Sequence, residues 1–265
     1  PGERSSWQRD QAYPRLGFDT FKSAEELDVP ITMEHGYISD ETDFDQIIWE
    51  YEHRDPEKPL FLFNVTIQNH GAYTVKDYPA AVDLLDEPEK YPMAQQYLTL
   101  INKTEEQFLR LTDYFSQQEE PVLILMFGDH QPTDYVANCI VDLTGKTMDE
   151  MTLEEQQTRY TVPFMLWANY DIEEGYYDRI SANYLSTVLM DAAGLQKSDY
   201  QSFLSGLKET LPVITANCVA DADGSFYSMD EAEELYPELI QEYRVLQYNL
   251  LFDDEENRLA DFFTL

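Results

Sequence analysis

Four histidines occur in the 265 residues, and two of them follow apolar runs. Residues 122–127 run straight into Gly128-Asp129-His130-Gln131-Pro132. An Asp and a His side by side at a strand's end project differently, yet can converge on one ion where the chain turns. Their mixed oxygen and nitrogen donors suit Mn²⁺, Zn²⁺ or Mg²⁺ and argue against a thiolate site. Gly128 removes bulk at the approach and Pro132 stiffens the exit. The plainer alternative is a turn that Asp129 caps while His130 hydrogen-bonds locally. The second run, residues 60–67, leads into Gln68-Asn69-His70-Gly71. Histidine titrates near neutrality, so His70 can donate to a phosphate oxygen or protonate a leaving alkoxide. A turn histidine steadied by Asn69 is the competing reading. Trp7-Gln8-Arg9 adds a planar guanidinium fork matched to phosphate oxygens, beside an indole that can pack on an alcohol. The pattern alone equally fits a surface arginine next to a buried tryptophan. His35 and His53 lack such context and read as structural or surface residues.

These groups need elements to hold them. Residues 59–67, 121–127 and 160–168 read as strands, because nearly continuous apolar, β-rich runs suit strands covered on both faces, as in a parallel sheet. Helical spacing marks residues 43–53, with Phe44, Ile47, Ile48 and Tyr51 on one face, and residues 94–116. A further helix over 180–193 is closed by Gly194. Thr152 with Glu155, and Ser228 with Glu231, have the spacing of capping boxes. The second opens a helical stretch that breaks at Pro237 and resumes through Tyr243, Leu246 and Leu250. Residues 1–40 and the Pro- and Asp-rich stretch 76–92 read as irregular. Alternating strands and helices predict an α/β fold, a mainly parallel sheet flanked by helices, in one domain over 1–265. Ligands are then expected at the carboxyl ends of the strands.

Composition narrows the chemistry. With 17 Lys+Arg against 52 Asp+Glu the formal charge is −35, which excludes a general nucleic-acid binder and docking on anionic lipid through the surface at large. Phosphate chemistry here needs a local cation. A 43% hydrophobic and 14% aromatic content excludes a disordered acidic tail. Cys139 and Cys218 do not make a disulfide scaffold, and whether they pair stays open. No apolar run approaches the ~20 residues of a membrane span. The opening Pro-Gly-Glu-Arg has neither initiator Met nor signal peptide and reads as a chain cut from something longer. Asp221-Ala-Asp223-Gly224 places its Gly fourth rather than sixth, so an acidic turn is expected instead of a calcium loop. The acidic stretch 253–256 reads as solvated surface.

The motifs, in their order, are specific in combination. Ser6-Trp7-Gln8-Arg9-Asp10, Gly36-Tyr37-Ile38-Ser39-Asp40, Gln68-Asn69-His70-Gly71, Gly128-Asp129-His130-Gln131-Pro132 and Val162-Pro163-Phe164 together resemble the lipoteichoic acid synthase family. That family comprises phosphoglycerol transferases of the sulfatase/alkaline phosphatase superfamily. The resemblance spans nearly the whole chain and implies the distal, N-terminally truncated part of an extracellular catalytic domain, anchored by membrane helices upstream. It implies metal-dependent transfer of glycerol phosphate from phosphatidylglycerol to a polyglycerol phosphate chain. By that likeness Asp129 and His130 would be two ligands of one divalent ion, typically Mn²⁺, with Mg²⁺ or Zn²⁺ as alternatives. Trp7 and Arg9 would hold the glycerol phosphate, and His70 would contact the phosphate or assist the leaving group. The family's Thr nucleophile and a further carboxylate ligand lie upstream of the Trp-x-Arg segment. Residues 1–265 alone are therefore expected to bind Mn²⁺ weakly and to show no turnover. Two other readings stand beside this one: a sulfatase or phosphodiesterase of the same superfamily, and a non-catalytic acidic module that binds a cell-surface polymer or protein.

Overall fold

Ser39 caps the helix that follows it, its Oγ accepting from the Thr42 N–H at 3.2 Å. The structure, a computed structural model, describes residues 2–85, 89–253 and 256–265. It divides into two compact units, the first running to residue 119 and including 131–145, the second holding 120–130 and 146–265.

In the first unit a short helix α1 (Arg9–Arg15) precedes a hairpin of β1 (Met33–Glu34) and β2 (Tyr37–Ile38). The hairpin turns through His35 and Gly36, at φ 36° and 100°. Helices α2 (Asp40–His53), α3 (Pro92–Ser116) and α4 (Asp134–Thr144) follow. Pro92 opens α3 where a missing N–H costs nothing. Phe108, Leu111 and Phe115 recur at helical spacing along α3 and are buried. Phe108 meets Phe44 of α2 edge-on with ring centroids 6.4 Å apart. Leu100, Ala94, Tyr73 and Val136 form the core between α3 and α4. Burying a side chain such as Leu100 contributes roughly 1.5–3 kcal/mol.

The expected strand over 59–67 is not one. Among the described residues it joins no ladder and runs as irregular chain. Leu60, Phe61 and Phe63 are exposed. Phe61 stacks on Phe18 at 5.9 Å, and Phe63 lies edge-on to Tyr13 at 6.3 Å. An apolar, β-prone run reports a wish for burial; pairing depends on a neighbour that local sequence does not specify.

The second unit begins with β3 (Leu123–Phe127), then α5 (Leu153–Gln157) and β4 (Phe164–Ala168). The β3–β4 pairing is antiparallel, with Leu123 opposite Ala168 and Phe127 opposite Phe164. The chain keeps its α/β character with helices flanking short sheets. The ladders among the described residues, however, are antiparallel where parallel ones were expected. Continuous apolarity signals cover on both faces and carries no information on strand direction. Helices α6 (Leu185–Ala192) and α7 (Asp199–Thr210) lead to a three-stranded sheet of β5 (Val213–Ile214), β6 (Val219–Ala220) and β7 (Phe226–Tyr227). Helices α8 (Met229–Leu235), α9 (Pro237–Phe252) and α10 (Ala260–Phe263) complete it. Tyr184, Leu204, Leu207, Leu211, Val219 and Ile240 form its core. The Tyr184 hydroxyl is satisfied by the Leu211 carbonyl at 2.8 Å.

The Thr152–Glu155 and Ser228–Glu231 capping boxes are both present. Asp221 is indeed a turn residue. Its carboxylate accepts from the N–H groups of Asp223 and Ser225, and from the hydroxyls of Tyr227 and Tyr236. Neither cysteine is in a disulfide. Residues 86–88 of the stretch 76–92, and 254–255 of the acidic stretch 253–256, lie outside the described residues. Among the described residues no helix is long and apolar enough to cross a membrane.

Candidate active site

The turn that carries His70 is held from several directions within the first unit. Gln68 is 2% exposed and sits beneath it. Its Oε1 accepts from the Asp40 N–H at 3.0 Å, and its Nε2 donates to Asp40 Oδ2 at 3.3 Å. Thr104 of α3 donates to the same Asp40 oxygen at 2.5 Å and accepts from Asn69 Nδ2 at 2.7 Å. The Tyr73 hydroxyl donates to the Asn69 carbonyl at 2.7 Å, and His35 Nε2 donates to the Gln68 carbonyl. Buried polar groups linked this way fix a loop firmly, because breaking one link leaves a desolvated partner. Asp40 is fully buried at the first turn of α2, and burial pushes its carboxyl up to about 6, the Thr104 hydroxyl opposing. Asp43, one turn on, is pushed up to about 8 by burial, with the Asp40 charge adding to the rise.

His70 itself is exposed at the top of this anchored turn. Its Nδ1 lies 2.9 Å from the Gly71 carbonyl and 3.2 Å from the Tyr37 hydroxyl. The residue after it, Gly71, lies against Thr133, whose Cγ2 would be 3.6 Å from a Cβ placed there.

Arg9 and Trp7 belong to the same unit. Arg9 Nε donates to the Ser6 carbonyl at 3.1 Å, and one Nη donates to the Glu3 carbonyl at 3.2 Å. Those two bonds fix the guanidinium plane and leave three of its five N–H donors for a ligand. Trp7 is 91% exposed, not buried as the plainer reading of this segment would have it. It and Gln8 both take left-handed backbone conformations, at φ 59° and 53°, which side-chain-bearing residues seldom adopt. Such geometry is characteristic of binding segments. Arg9 and Tyr13 both pack on Phe21, and Tyr13 in turn meets Phe63, seven residues before His70. No hydrogen bond or ion pair among the described residues joins Arg9 to His70.

In the second unit, Asp129 and His130 follow β3 on an exposed bend. Gly128 keeps this approach close: a Cβ there would lie 3.0 Å from Val162 Cβ, so a larger residue needs Val162 to give way, while the Gly128 N–H donates to the Pro163 carbonyl at 3.1 Å. Asp129 Oδ1 accepts from the His130 N–H at 2.9 Å. Asp129 Oδ2 and His130 Nε2 lie 3.7 Å apart. Two donors bound to one ion at about 2.1 Å stand roughly 3.0–3.4 Å from each other, so the pair fits a shared cation with a small adjustment. Among the described residues no group of three or more His, Cys, Asp or Glu side chains is gathered for a metal. Asp129 and His130 would offer two donors, one oxygen and one nitrogen, to such an ion.

A sulfatase family model matches residues 1–195, almost three-quarters of the chain. The chain belongs to the sulfatase family. This sulfatase-family chain is 25% identical over 257 residues to a protein of Rhizobium meliloti (strain 1021) assigned to cyclic beta-1,2-glucan modification, covering 93% of the chain and 39% of that protein. It is 26% identical over 132 residues to the capsular polysaccharide biosynthesis protein RkpI of the same organism, covering 50% of the chain and 23% of RkpI. Its fold matches Streptococcus pyogenes phosphoglycerol transferase GacH, solved with sn-glycerol-1-phosphate. The TM-score is 0.70 at 18% identity, over 100% of this chain and 63% of that one. The chain thus spans about two-fifths of the first curated relative and under two-thirds of the solved one.

Tyr37, Asp40 and Gln68 stand in the sequence motifs without an individual role, and Thr104 stands in none of them. Nothing local ties Asp40 to a turn 28 residues away.

Proposed function

We propose that this chain is the distal part of a phosphotransferase that moves glycerol phosphate from phosphatidylglycerol to an acceptor hydroxyl, with Mn²⁺, or alternatively Mg²⁺ or Zn²⁺, held by Asp129 and His130. The observation that carries the reading is the 3.7 Å approach of an Asp oxygen and a His nitrogen on an exposed bend of a sulfatase-family fold. The glycerol phosphate in the GacH structure supports the substrate class. When bound, the ion neutralises charge on the phosphoryl oxygens, the dominant requirement of phosphoryl transfer. Arg9, its plane fixed by Ser6 and Glu3, offers its remaining N–H donors to the same phosphate. Trp7 packs its exposed indole on the glycerol carbons. His70 moves a proton to the departing alkoxide.

The acceptor has two readings. Polyglycerol phosphate follows from the lipoteichoic acid synthase resemblance; a glucan or capsular saccharide hydroxyl follows from the names of the two Rhizobium proteins. The place of action proposed is the outer face of the cell membrane, with anchoring helices and the Thr nucleophile upstream of these residues.

The test uses the longer protein that the reading requires, with labelled phosphatidylglycerol and Mn²⁺. Diacylglycerol release, abolished in Asp129→Ala and cut at least about 100-fold in His70→Gln, is expected. Sulfate-ester cleavage without diacylglycerol release would assign the hydrolase alternative instead. Full function in Asp129→Ala and His130→Ala would leave only the binding-module reading.

A further inference from the structure

The hydrogen bonds around His70 decide which ring nitrogen carries the proton. The Tyr37 hydroxyl has one proton, and its shortest partner is the Gly71 carbonyl at 2.6 Å, which can only accept. Toward His70 Nδ1, at 3.2 Å, Tyr37 therefore presents a lone pair. The other neighbour of Nδ1 is the same Gly71 carbonyl at 2.9 Å, again an acceptor. Two acceptors facing one ring nitrogen require that nitrogen to hold the hydrogen. The rings of Tyr37 and His70 also meet edge-on, with centroids 5.5 Å apart and planes at 68°, which restricts rotation of the imidazole. Tyr37 is itself fixed, since β2 pairs with β1 in the hairpin directly before the Ser39 cap.

We propose that Tyr37 is a positioning residue that, by holding the Gly71 carbonyl with its hydroxyl proton and turning a lone pair to Nδ1, locks His70 in the Nδ1–H tautomer, so that Nε2 is the nitrogen that exchanges a proton with substrate. Nε2 makes no hydrogen bond among the described residues. In the neutral ring Nε2 holds a lone pair, and in the protonated ring it holds the hydrogen that is given up. As the bond from phosphorus to the leaving oxygen breaks, that hydrogen passes to the leaving alkoxide and the ring returns to the neutral Nδ1–H form. The proton-transfer half of this inference rests on the function proposed above; the tautomer half does not.

His35 provides the internal control. It donates to the Gln68 carbonyl on the same turn and packs edge-on against Tyr37 with centroids 5.2 Å apart, but no hydrogen bond joins its ring to the Tyr37 hydroxyl or to His70. A loss of general rigidity would follow from altering either residue, whereas Tyr37→Phe alone removes the hydroxyl that faces Nδ1 and the Gly71 carbonyl.

The experiment is a long-range ¹H–¹⁵N correlation spectrum of the ¹⁵N-histidine-labelled 265-residue chain at about pH 8. The His70 signals are assigned by their loss in His70→Gln. The wild type is expected to show the Nδ1–H pattern, Tyr37→Phe a clear rise in Nε2–H, and His35→Gln the wild-type pattern. An Nε2–H ring in the wild type, or an identical spectrum in Tyr37→Phe, overturns the proposal. Equal changes in Tyr37→Phe and His35→Gln do so too, by showing mere loosening of the turn. In the longer protein, Tyr37→Phe is expected to lower kcat about 10-fold or more with KM within about 2-fold, the signature of a lost proton-transfer geometry. A raised KM at unchanged kcat would contradict it. The spectra hold or fail whatever reaction the chain takes part in, so failure of the assigned activity is distinguishable from failure of the tautomer lock.

Discussion

Gly128 shows how much a single missing Cβ matters. Val162 occupies the space a side chain would need, so Gly128→Ala forces either the exit of β3 or the Val162 segment to move. Overpacking of this kind costs roughly 1–3 kcal/mol, and a chemical-denaturation midpoint lowered accordingly is the expected result. An unchanged midpoint would mean that the bend is loose enough to absorb the methyl group. The bend also fixes where Asp129 begins, so the same variant is expected to weaken Mn²⁺ binding measured by calorimetry. The candidate residues for chemistry are legible in the sequence only at this scale. His70, Asp129, His130, Arg9 and Trp7 stand out by type and by the runs they follow. What holds His70 did not stand out, because Asp40, Gln68 and Thr104 come from separate parts of the chain and meet only in the fold.

Elements governed by nearby residues were read well, and those governed by distant partners were not. Helix α2 and the boxes at Thr152 and Ser228 depend on side-chain–backbone bonds a few residues long, and α3 on Pro92 at its start and the helical spacing of its apolar residues. Ser228→Ala is expected to lose about 1 kcal/mol of stability, seen as a lower thermal midpoint. Helix α7 was overlooked although Ser198 caps it, accepting from the Gln201 N–H. Residues 59–67 mislead because their composition is that of a strand while their aromatic rings pack on Phe18 and Tyr13. Helix α2 carries the clearest pH dependence. Asp40 and Asp43 have carboxyls raised to about 6 and about 8, above the ordinary value of 3.8. The folded chain therefore binds more protons than the unfolded one between about pH 4 and pH 8. Stability from these two groups is fully present below that window and lost as pH rises through it. Asp43→Asn is expected to flatten the fall in thermal midpoint between pH 5 and pH 8. A slope equal to that of the wild type would place the pH dependence elsewhere.

For the molecule as a whole, a formal charge of −35 sets the electrostatic background. Self-repulsion of that size weakens the compact state and is screened by salt over about 10 Å at 0.1 M. Raising NaCl from about 20 mM to about 0.5 M is expected to raise the thermal midpoint by about 3 °C or more, and a fall would show that specific ion pairs outweigh the net charge. The same background makes a local cation indispensable to any phosphoester chemistry here, which joins the charge to the function proposed. The most direct test of that function is paramagnetic relaxation of the histidine rings by Mn²⁺ in the labelled chain. If Asp129 and His130 hold the ion that works with His70, Mn²⁺ broadens His130 and shortens the relaxation of His70 to a degree that places it within about 10 Å of the ion, the span of an ordinary pocket. Asp129→Ala abolishes both effects. Broadening of His130 while His70 keeps its metal-free relaxation would contradict the account.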